Sequence, residues 1–291
     1  MSGRPDAVGP LIHLRTLSPF HHLSPAQVSL LTQEAEEVAH AAGSWLVPPG
    51  EAPSGIYMLL DGYARVVREE EDRIFEPWSL LGYPDVLIPG KTGRGIRAET
   101  DVFALRLGTD DLRDLCERHF AILATLLSNM ADEVLARPSA RSAALVGAGD
   151  VGPLPFGESL DRVGRMVALQ RAPVLPQESM DALAELSGRV DRVDLAPGEA
   201  LWSPTAAADG FFVVCTGAVD LGEDDGSSVR AGLGSAPGFL ETLCGQPYRT
   251  TAEAAEDATL LRVGIDPFMD VAEDHFELGY AILGRMARWL G

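Results

Sequence analysis

The sequence predicts an α+β protein, mainly β, made of two tandem jelly-roll-like β-rolls that are each flanked by helices. Two observations lead to this prediction. The chain repeats itself, and each copy has the same order of helix, short glycine-punctuated strands and closing helix. The length of 291 residues also suits about two domains of 100–200 residues each.

The internal repeat relates the two halves of the chain by a nearly constant offset. Gly43 and Gly62 match Gly198 and Gly217 at an offset of 155, since 198 − 43 = 155. Further along the offset becomes 156, where Asp101 and His119 match Asp257 and His275. A single slip of one residue is typical of a duplicated domain with one changed loop.

Hydrophobic spacing and turn residues give the elements of each copy. A helix is expected first, opened in the first copy by Ser24-Pro25, a cap followed by proline. Apolar strands ending in a glycine turn come next, and apolar residues at helical spacing form a closing helix. The expected segments are helices 24–39 and 177–188, strands 56–60 and 211–215, and closing helices 112–134 and 268–290.

These elements predict four regions of the chain. Residues 1–13 form an N-terminal tail, and residues 14–136 the first domain. Residues 137–157 are rich in Gly, Ala, Ser and Pro, which is typical of a linker. Residues 158–291 form the second domain, which begins with a helix over 158–172.

The net charge disfavours two classes of partner. The 23 basic and 43 acidic residues give a net charge of −20. A surface this negative repels phosphate backbones and anionic lipids, so no nucleic acid and no membrane are expected as partners. No apolar run reaches the roughly 20 residues that span a bilayer.

Cysteine usage and the absence of catalytic motifs point to a non-enzymatic cytoplasmic protein. Cys116, Cys215 and Cys244 are odd in number and lie far apart, so neither a disulfide framework nor a metal site is expected. The chain has no nucleophile-elbow, zinc-protease or P-loop pattern. We therefore expect no catalytic residue, no metal and no cofactor.

Several motifs carry a resemblance to a known family. They are Pro19-Phe20 with Leu23-Ser24-Pro25, Pro197-Gly198-Glu199, a strand ending in Asp61-Gly62, and the strand 104–107 before the closing helix. In this order they resemble the cyclic-nucleotide-binding domain, the sensor module of the catabolite activator protein and of the protein kinase A regulatory subunit. The resemblance covers residues from about 14 to 136 and from about 169 to 291.

The resemblance implies a nucleotide site in the second copy. Family members bind the nucleotide in a cassette of Phe-Gly-Glu followed by Pro-Arg-Ser/Thr-Ala. The glutamate accepts from the ribose hydroxyl, and the arginine donates a charge-assisted hydrogen bond to the phosphate. The matching residues are Phe239, Glu241, Arg249, Thr250 and Thr251. Leu240 departs from the family glycine, and the alternative is that Glu241 and Arg249 form a salt bridge inside an empty pocket.

The first copy matches the cassette poorly. Tyr83-Pro84-Asp85 replaces Phe-Gly-Glu, and Gly93 replaces the arginine. Proline removes an amide donor, and aspartate is one methylene shorter than glutamate. Asp85 and Arg94 form the degenerate site that remains, and the alternative is a loop on a cassette that binds nothing.

These observations predict a non-enzymatic regulatory protein that binds cAMP or cGMP in the second domain, if anywhere. The alternative is a ligand-free protein–protein interaction module on degenerate cyclic-nucleotide-binding folds. An unidentified protein partner is expected, and no helix-turn-helix is expected after the second closing helix. The closing helices are expected to pair, either within one chain as a monomeric pseudo-dimer or between chains as a homodimer.

Overall fold

The computed structural model describes residues 13–67, 72–88, 90, 94–137, 160–223 and 226–290. Most of the expected tail and nearly all of the expected linker lie outside these residues. The chain divides into two compact units. The first comprises Met1–Asn129 with Leu290–Gly291, and the second comprises Met130–Trp289.

The first unit begins with a short helix, continues through eight strands and ends with two helices. A 3₁₀ turn over Asp85–Leu87 lies between the sixth and seventh strands. The elements are α1 Pro25–Glu34, β1 Glu36–His40, β2 Trp45–Val47, β3 Gly55–Asp61, β4 Ala64–Val66, β5 Arg73–Phe75, β6 Leu80–Leu81, β7 Ile96–Ala98, β8 Val102–Gly108, α2 Thr109–Arg118 and α3 Phe120–Leu135. The boundary between the units falls within α3.

The second unit repeats this order with two helices at its start. A six-residue helix, α6, stands where the first unit has its 3₁₀ turn. The elements are α4 Arg162–Arg171, α5 Met180–Leu186, β9 Asp191–Leu195, β10 Ala200–Trp202, β11 Gly210–Thr216, β12 Val219–Gly222, β13 Ser228–Ala231, α6 Phe239–Cys244, β14 Thr251–Ala254, β15 Ala258–Gly264, α7 Ile265–Asp274 and α8 Phe276–Leu290.

Each unit contains two antiparallel sheets that enclose its core. The first unit has the strand orders β1-β8-β3-β6 and β2-β7-β4-β5, and the second has β11-β15-β9 and β10-β14-β12-β13. In the second unit, Phe212 and Leu260 of one sheet and Leu221 of the other belong to one buried cluster. The predicted fold class, two β-rolls with flanking helices, is therefore confirmed.

The helix expected over 24–39 is wrong in its second half. Ser24 caps the helix by accepting from the Gln27 N–H, and the Gln27 side chain accepts in return from the Ser24 N–H. The helix ends at Glu34, and Glu36–His40 forms β1 instead. The register of β1 against β8 pairs Val38 with Ala104, so strand pairing overrides the helical pattern there.

Both expected closing helices are interrupted at the matched histidines. His119 ends α2 and His275 ends α7, and each backbone N–H still donates to the carbonyl four residues earlier. The chain then turns and begins α3 or α8. No helix in the described part of the chain is long and apolar enough to cross a membrane.

Candidate functional site

The cassette of the second unit is built around α6, which glycine limits at both ends. Gly238 precedes the helix with φ of 82°, and Gly245 follows it with φ of 67°. Both values lie in the left-handed region, where a side chain is disfavoured. The sequence between Ala236 and Thr251 therefore forms one short helix and an extended segment that leads into β14.

The first two cassette residues are core residues. Phe239 packs edge-on against Phe211, with ring centroids 5.1 Å apart and planes at 89°. Leu240 is 3% exposed, and Leu243 is also buried. The isobutyl group of Leu240 therefore contributes to the core of the unit, and its removal would leave a cavity.

Glu241 and Arg249 differ in their surroundings. Glu241 is half-buried in the first turn of α6, and its backbone carbonyl accepts from the N–H groups of Gly245 and Gln246. Arg249 is exposed. The guanidinium predicted to meet a phosphate therefore lies at the surface of the unit.

Burial alternates along the extended segment after α6. Tyr248 is buried, Arg249 is exposed, Thr250 is half-buried and Thr251 is exposed. Thr251 begins β14, where its hydroxyl donates to the carbonyl of Gly222 over 3.3 Å. The side chain of this segment that enters the space between the two sheets is therefore Tyr248.

Tyr248 stacks on Trp202 inside the roll. Their ring centroids lie 4.1 Å apart with planes inclined by 13°, and Trp202 lies 5.5 Å from Phe212. The indole N–H of Trp202 donates to the carbonyl of Thr250 over 2.9 Å. Neither aromatic residue belongs to the cassette motif, so the motif does not predict their roles. The available signal was the tyrosine directly before Arg249, together with the tryptophan at the end of an apolar strand.

Hydrogen bonds hold Tyr248 in this position. Its hydroxyl donates to the carbonyl of Gly210. Its backbone N–H donates to the carbonyl of Ala206 over 3.0 Å, and its own carbonyl accepts from the N–H of Thr205 over 2.9 Å. Burial, assisted by the nearby Asp209 carboxylate, raises the pKa of Tyr248 to about 12.

The first unit has a cavity at the corresponding place. Its volume is about 60 Å³, which gives room for about four waters. Asp85 and Arg94, the two predicted residues of the degenerate site, both line it, together with Gly82. Its remaining lining residues are Pro53, Val66, Phe75, Leu80, Leu81, Tyr83, Pro84 and Ile96.

The repeat places smaller side chains in the first unit where the second unit has Trp202 and Tyr248. At the offset of 155, Trp202 corresponds to Val47, which has a much smaller side chain. At the offset of 156, Tyr248 corresponds to Thr92, which lies outside the described residues. The aromatic pair of the second unit therefore has no aromatic counterpart at the matching positions of the first unit.

Metal ligands are not grouped in the part of the chain that the structure covers. No cluster of three or more His, Cys, Asp or Glu side chains able to hold a metal ion occurs among those residues. Cys116, Cys215 and Cys244 are free thiols, and burial raises the pKa of Cys116 and Cys215 to about 12.

The second unit matches a known family. Residues 192–275, from β9 through the end of α7, match the family model of the cyclic nucleotide-binding domain. The resemblance inferred from the motifs is therefore confirmed for this segment. A comparison with curated proteins finds no match.

Solved structures similar to this chain come from several organisms. The regulatory domain of Toxoplasma gondii PKA with cAMP has 13% identity over 94% of this chain and 97% of that chain, with a TM-score of 0.36. The regulatory subunit of a cAMP-independent protein kinase A from Trypanosoma brucei has 16% identity over 96% and 95%, with a TM-score of 0.36. The N-terminal domain of a transcriptional regulator from Streptomyces coelicolor A3(2) has 23% identity over 48% and 99%, with a TM-score of 0.41.

Proposed function

We propose that the chain is a non-enzymatic regulatory protein whose second domain works without a bound nucleotide, as a protein–protein interaction module on a cyclic-nucleotide-binding fold. The burial of Tyr248 against Trp202 in the second roll carries this proposal. Tyr248 and Trp202 occupy the space between the sheets beside α6. A nucleotide would have to displace a buried, stacked and hydrogen-bonded side chain to enter.

The polar groups of the second cassette support the same proposal. A phosphate needs a charged donor that faces it, because charge-assisted hydrogen bonds depend on close geometry. Arg249 is exposed, whereas the neighbouring position that faces inward is an aromatic ring. Leu240, which stands where the family has glycine, is packed in the core.

The second candidate function is cyclic-nucleotide binding in the second domain, through Phe239, Glu241, Arg249, Thr250 and Thr251. The observation that favours it is the family match, which spans the whole cassette. The nucleotide would be cAMP or cGMP. This candidate requires Tyr248 to leave the roll and Arg249 to turn inward on binding.

The protein partner is proposed to contact the closing helices α3 and α8. Pairing of these helices within one chain is favoured over pairing between chains, because a tandem repeat keeps its two halves at high effective concentration. Light scattering tests this proposal. A mass near 31.0 kDa supports the monomeric pseudo-dimer, whereas a stable species of twice that mass supports a homodimer.

A thermal-shift titration of the full chain with cAMP and cGMP separates the two functions. A ligand at about 100 times its Kd adds about 2.7 kcal/mol of stability, which raises the Tm by about 5–11 °C for a domain of this size. We expect no such increase for the wild-type protein. An increase that Arg249→Ala abolishes and Arg94→Ala retains would replace the proposal by the second candidate.

A further inference from the structure

We infer that the Tyr248 side chain permanently occupies the interior of the second roll, in the place that a ligand would take. Its phenol group fills the interior site and holds three separate segments of the unit in one arrangement, so the site is shut to diffusible ligands. This inference rests on the proposed function and adds the residue that closes the site and the ligand chemistry that the site accepts.

Three segments converge on the Tyr248 side chain and backbone. The loop after β10 is bound to the backbone of Tyr248. The N–H of Thr205 donates to the Tyr248 carbonyl, and the carbonyl of Ala206 accepts from the Tyr248 N–H. The start of β11 is joined through the carbonyl of Gly210, which accepts from the hydroxyl. The start of α6 is joined by contact with Gly238.

Gly238 shows how closely the ring fits. A methyl group added to its Cα would lie 2.8 Å from Cε1 of Tyr248, which is closer than carbon atoms approach without displacement. The glycine therefore leaves the room that the aromatic ring occupies. Since α6 starts at the next residue, the position of the ring and the position of this helix depend on each other.

A tethered side chain has an advantage over any ligand in solution. Its effective concentration at the site is set by the chain and does not fall on dilution. A diffusible ligand shifts the unit only if it binds the state without Tyr248 more tightly than the phenol does. The unit is therefore held in one state, which suits a domain that acts through protein contacts.

The contacts of Tyr248 also define the chemistry that the vacated site would accept. Trp202 offers a flat face for a planar ring, and the carbonyl of Gly210 accepts a hydrogen bond from a donor at the ring edge. Phenol meets both requirements. Benzene lacks the donor, and cyclohexanol has the donor but is not planar.

Removal of the ring from the full chain tests the inference. We expect Tyr248→Ala to lower the Tm of the second unit by about 6–20 °C, as truncation of a large buried side chain does. Phenol should raise the Tm of this variant with increasing concentration, benzene should raise it less, and neither should raise that of the wild type. Tyr63→Ala removes an exposed tyrosine (46% exposed) and serves as the matched control, without a response to phenol.

Two outcomes would overturn the inference: an unchanged Tm for Tyr248→Ala, or an equal effect of phenol on the variant and the wild type. If Tyr248→Ala does not fold, Tyr248→Phe and Tyr248→Leu decide instead. Tyr248→Phe keeps the stacked ring and should retain the near-ultraviolet circular dichroism of Trp202, which Tyr248→Leu should lose. Equal spectra and equal melting of these two variants would contradict a site that requires a planar ring. The phenol test uses no nucleotide, so its failure is distinct from the failure of the proposed function.

Discussion

The indole ring of Trp202 and the phenol ring of Tyr248 lie face to face between the two sheets of the second unit, 4.1 Å apart and inclined by 13°. Trp202 ends β10, and Tyr248 belongs to the cassette segment that leads into β14. The stacked pair therefore connects β10 to the cassette through an apolar contact. Offset-stacked and edge-to-face aromatic pairs contribute about 0.5–1.5 kcal/mol beyond the burial of their surfaces.

The loss of unfolding free energy at alkaline pH should depend on Tyr248. Burial raises its pKa to about 12, above the ordinary value of about 10 for an unfolded chain. The stability that the neutral Tyr248 phenol gives the folded state is thus fully present below about pH 10 and is lost as the pH rises toward 12. Urea unfolding across this range should show a steeper loss for the wild type than for Tyr248→Phe. Both proteins keep the buried cysteines, so equal slopes would mean that the phenol is not buried.

Gly238→Ala should destabilise the second unit more than Gly226→Ala does. Both glycines have φ near 83°, at 82° and 83°, so each substitution carries the same backbone cost of about 1–2 kcal/mol. At Gly238 the added methyl meets the Tyr248 ring, whereas at Gly226 no atom of the described residues lies within 4 Å of it. The difference in unfolding free energy should be about 1–3 kcal/mol. Equal losses would show that the ring lies elsewhere.

The junction of α7 and α8 should respond to acid through Glu185. Its carboxylate lies 3.0 Å from Nε2 of His275 and 2.5 Å from Nη2 of Arg189. Nη1 of Arg189 lies 3.5 Å from the Asp270 carboxylate. The hydrogen bond with His275, followed by the Arg189 charge, lowers the pKa of Glu185. A lowered pKa gives stability that is present above the ordinary value of about 4.3 and lost as the pH falls through the folded value. Glu185→Gln should lose less stability than the wild type between about pH 6 and pH 3.

Glu273→Gln provides the control for that measurement. Glu273 is exposed on α7, the helix that ends at His275, and its substitution removes one carboxylate without removing the contact between Glu185 and His275. We expect the unfolding free energy of Glu273→Gln to fall with decreasing pH as that of the wild type does. A Glu273→Gln protein that behaves like Glu185→Gln would assign the acid response to general charge and not to the contact between α5 and His275.

Leu240→Gly restores the family glycine and should nevertheless fail to create a nucleotide site. Leu240 is 3% exposed, and truncation of a buried leucine to alanine already costs about 2–5 kcal/mol. We expect at least that loss in chemical unfolding, with no thermal shift on addition of cAMP. Met180→Ala, at a side chain that is 40% exposed, is the control for loss of an apolar group of similar size. A gain of nucleotide binding by Leu240→Gly would contradict the closed interior.

The repeat and the strand pattern predicted the fold because both follow from local sequence. Glycine turns such as Gly62 and Gly217 mark strand ends wherever a positive φ is needed, and both have one. The cassette was harder to predict, because a motif gives residue order and not the direction in which each side chain points. Adjacent residues of an extended segment point to opposite sides. Here Tyr248 points into the roll and Arg249 points to the surface. The long helix expected over 24–39 failed for a related reason, since pairing of β1 with β8 depends on residues distant in sequence.

A double-mutant cycle between Trp202 and Tyr248 tests the closed second roll most directly. The single variants Trp202→Leu and Tyr248→Leu and the double variant are compared with the wild type by chemical unfolding. Residues in contact show interaction energies of about 0.5–3 kcal/mol, whereas independent sites add within about 0.3–0.5 kcal/mol. We predict that the double variant loses less stability than the sum of the two single losses, by an amount within the range for contact. Additive losses would contradict the stacked pair, and with it a second domain closed by its own tyrosine.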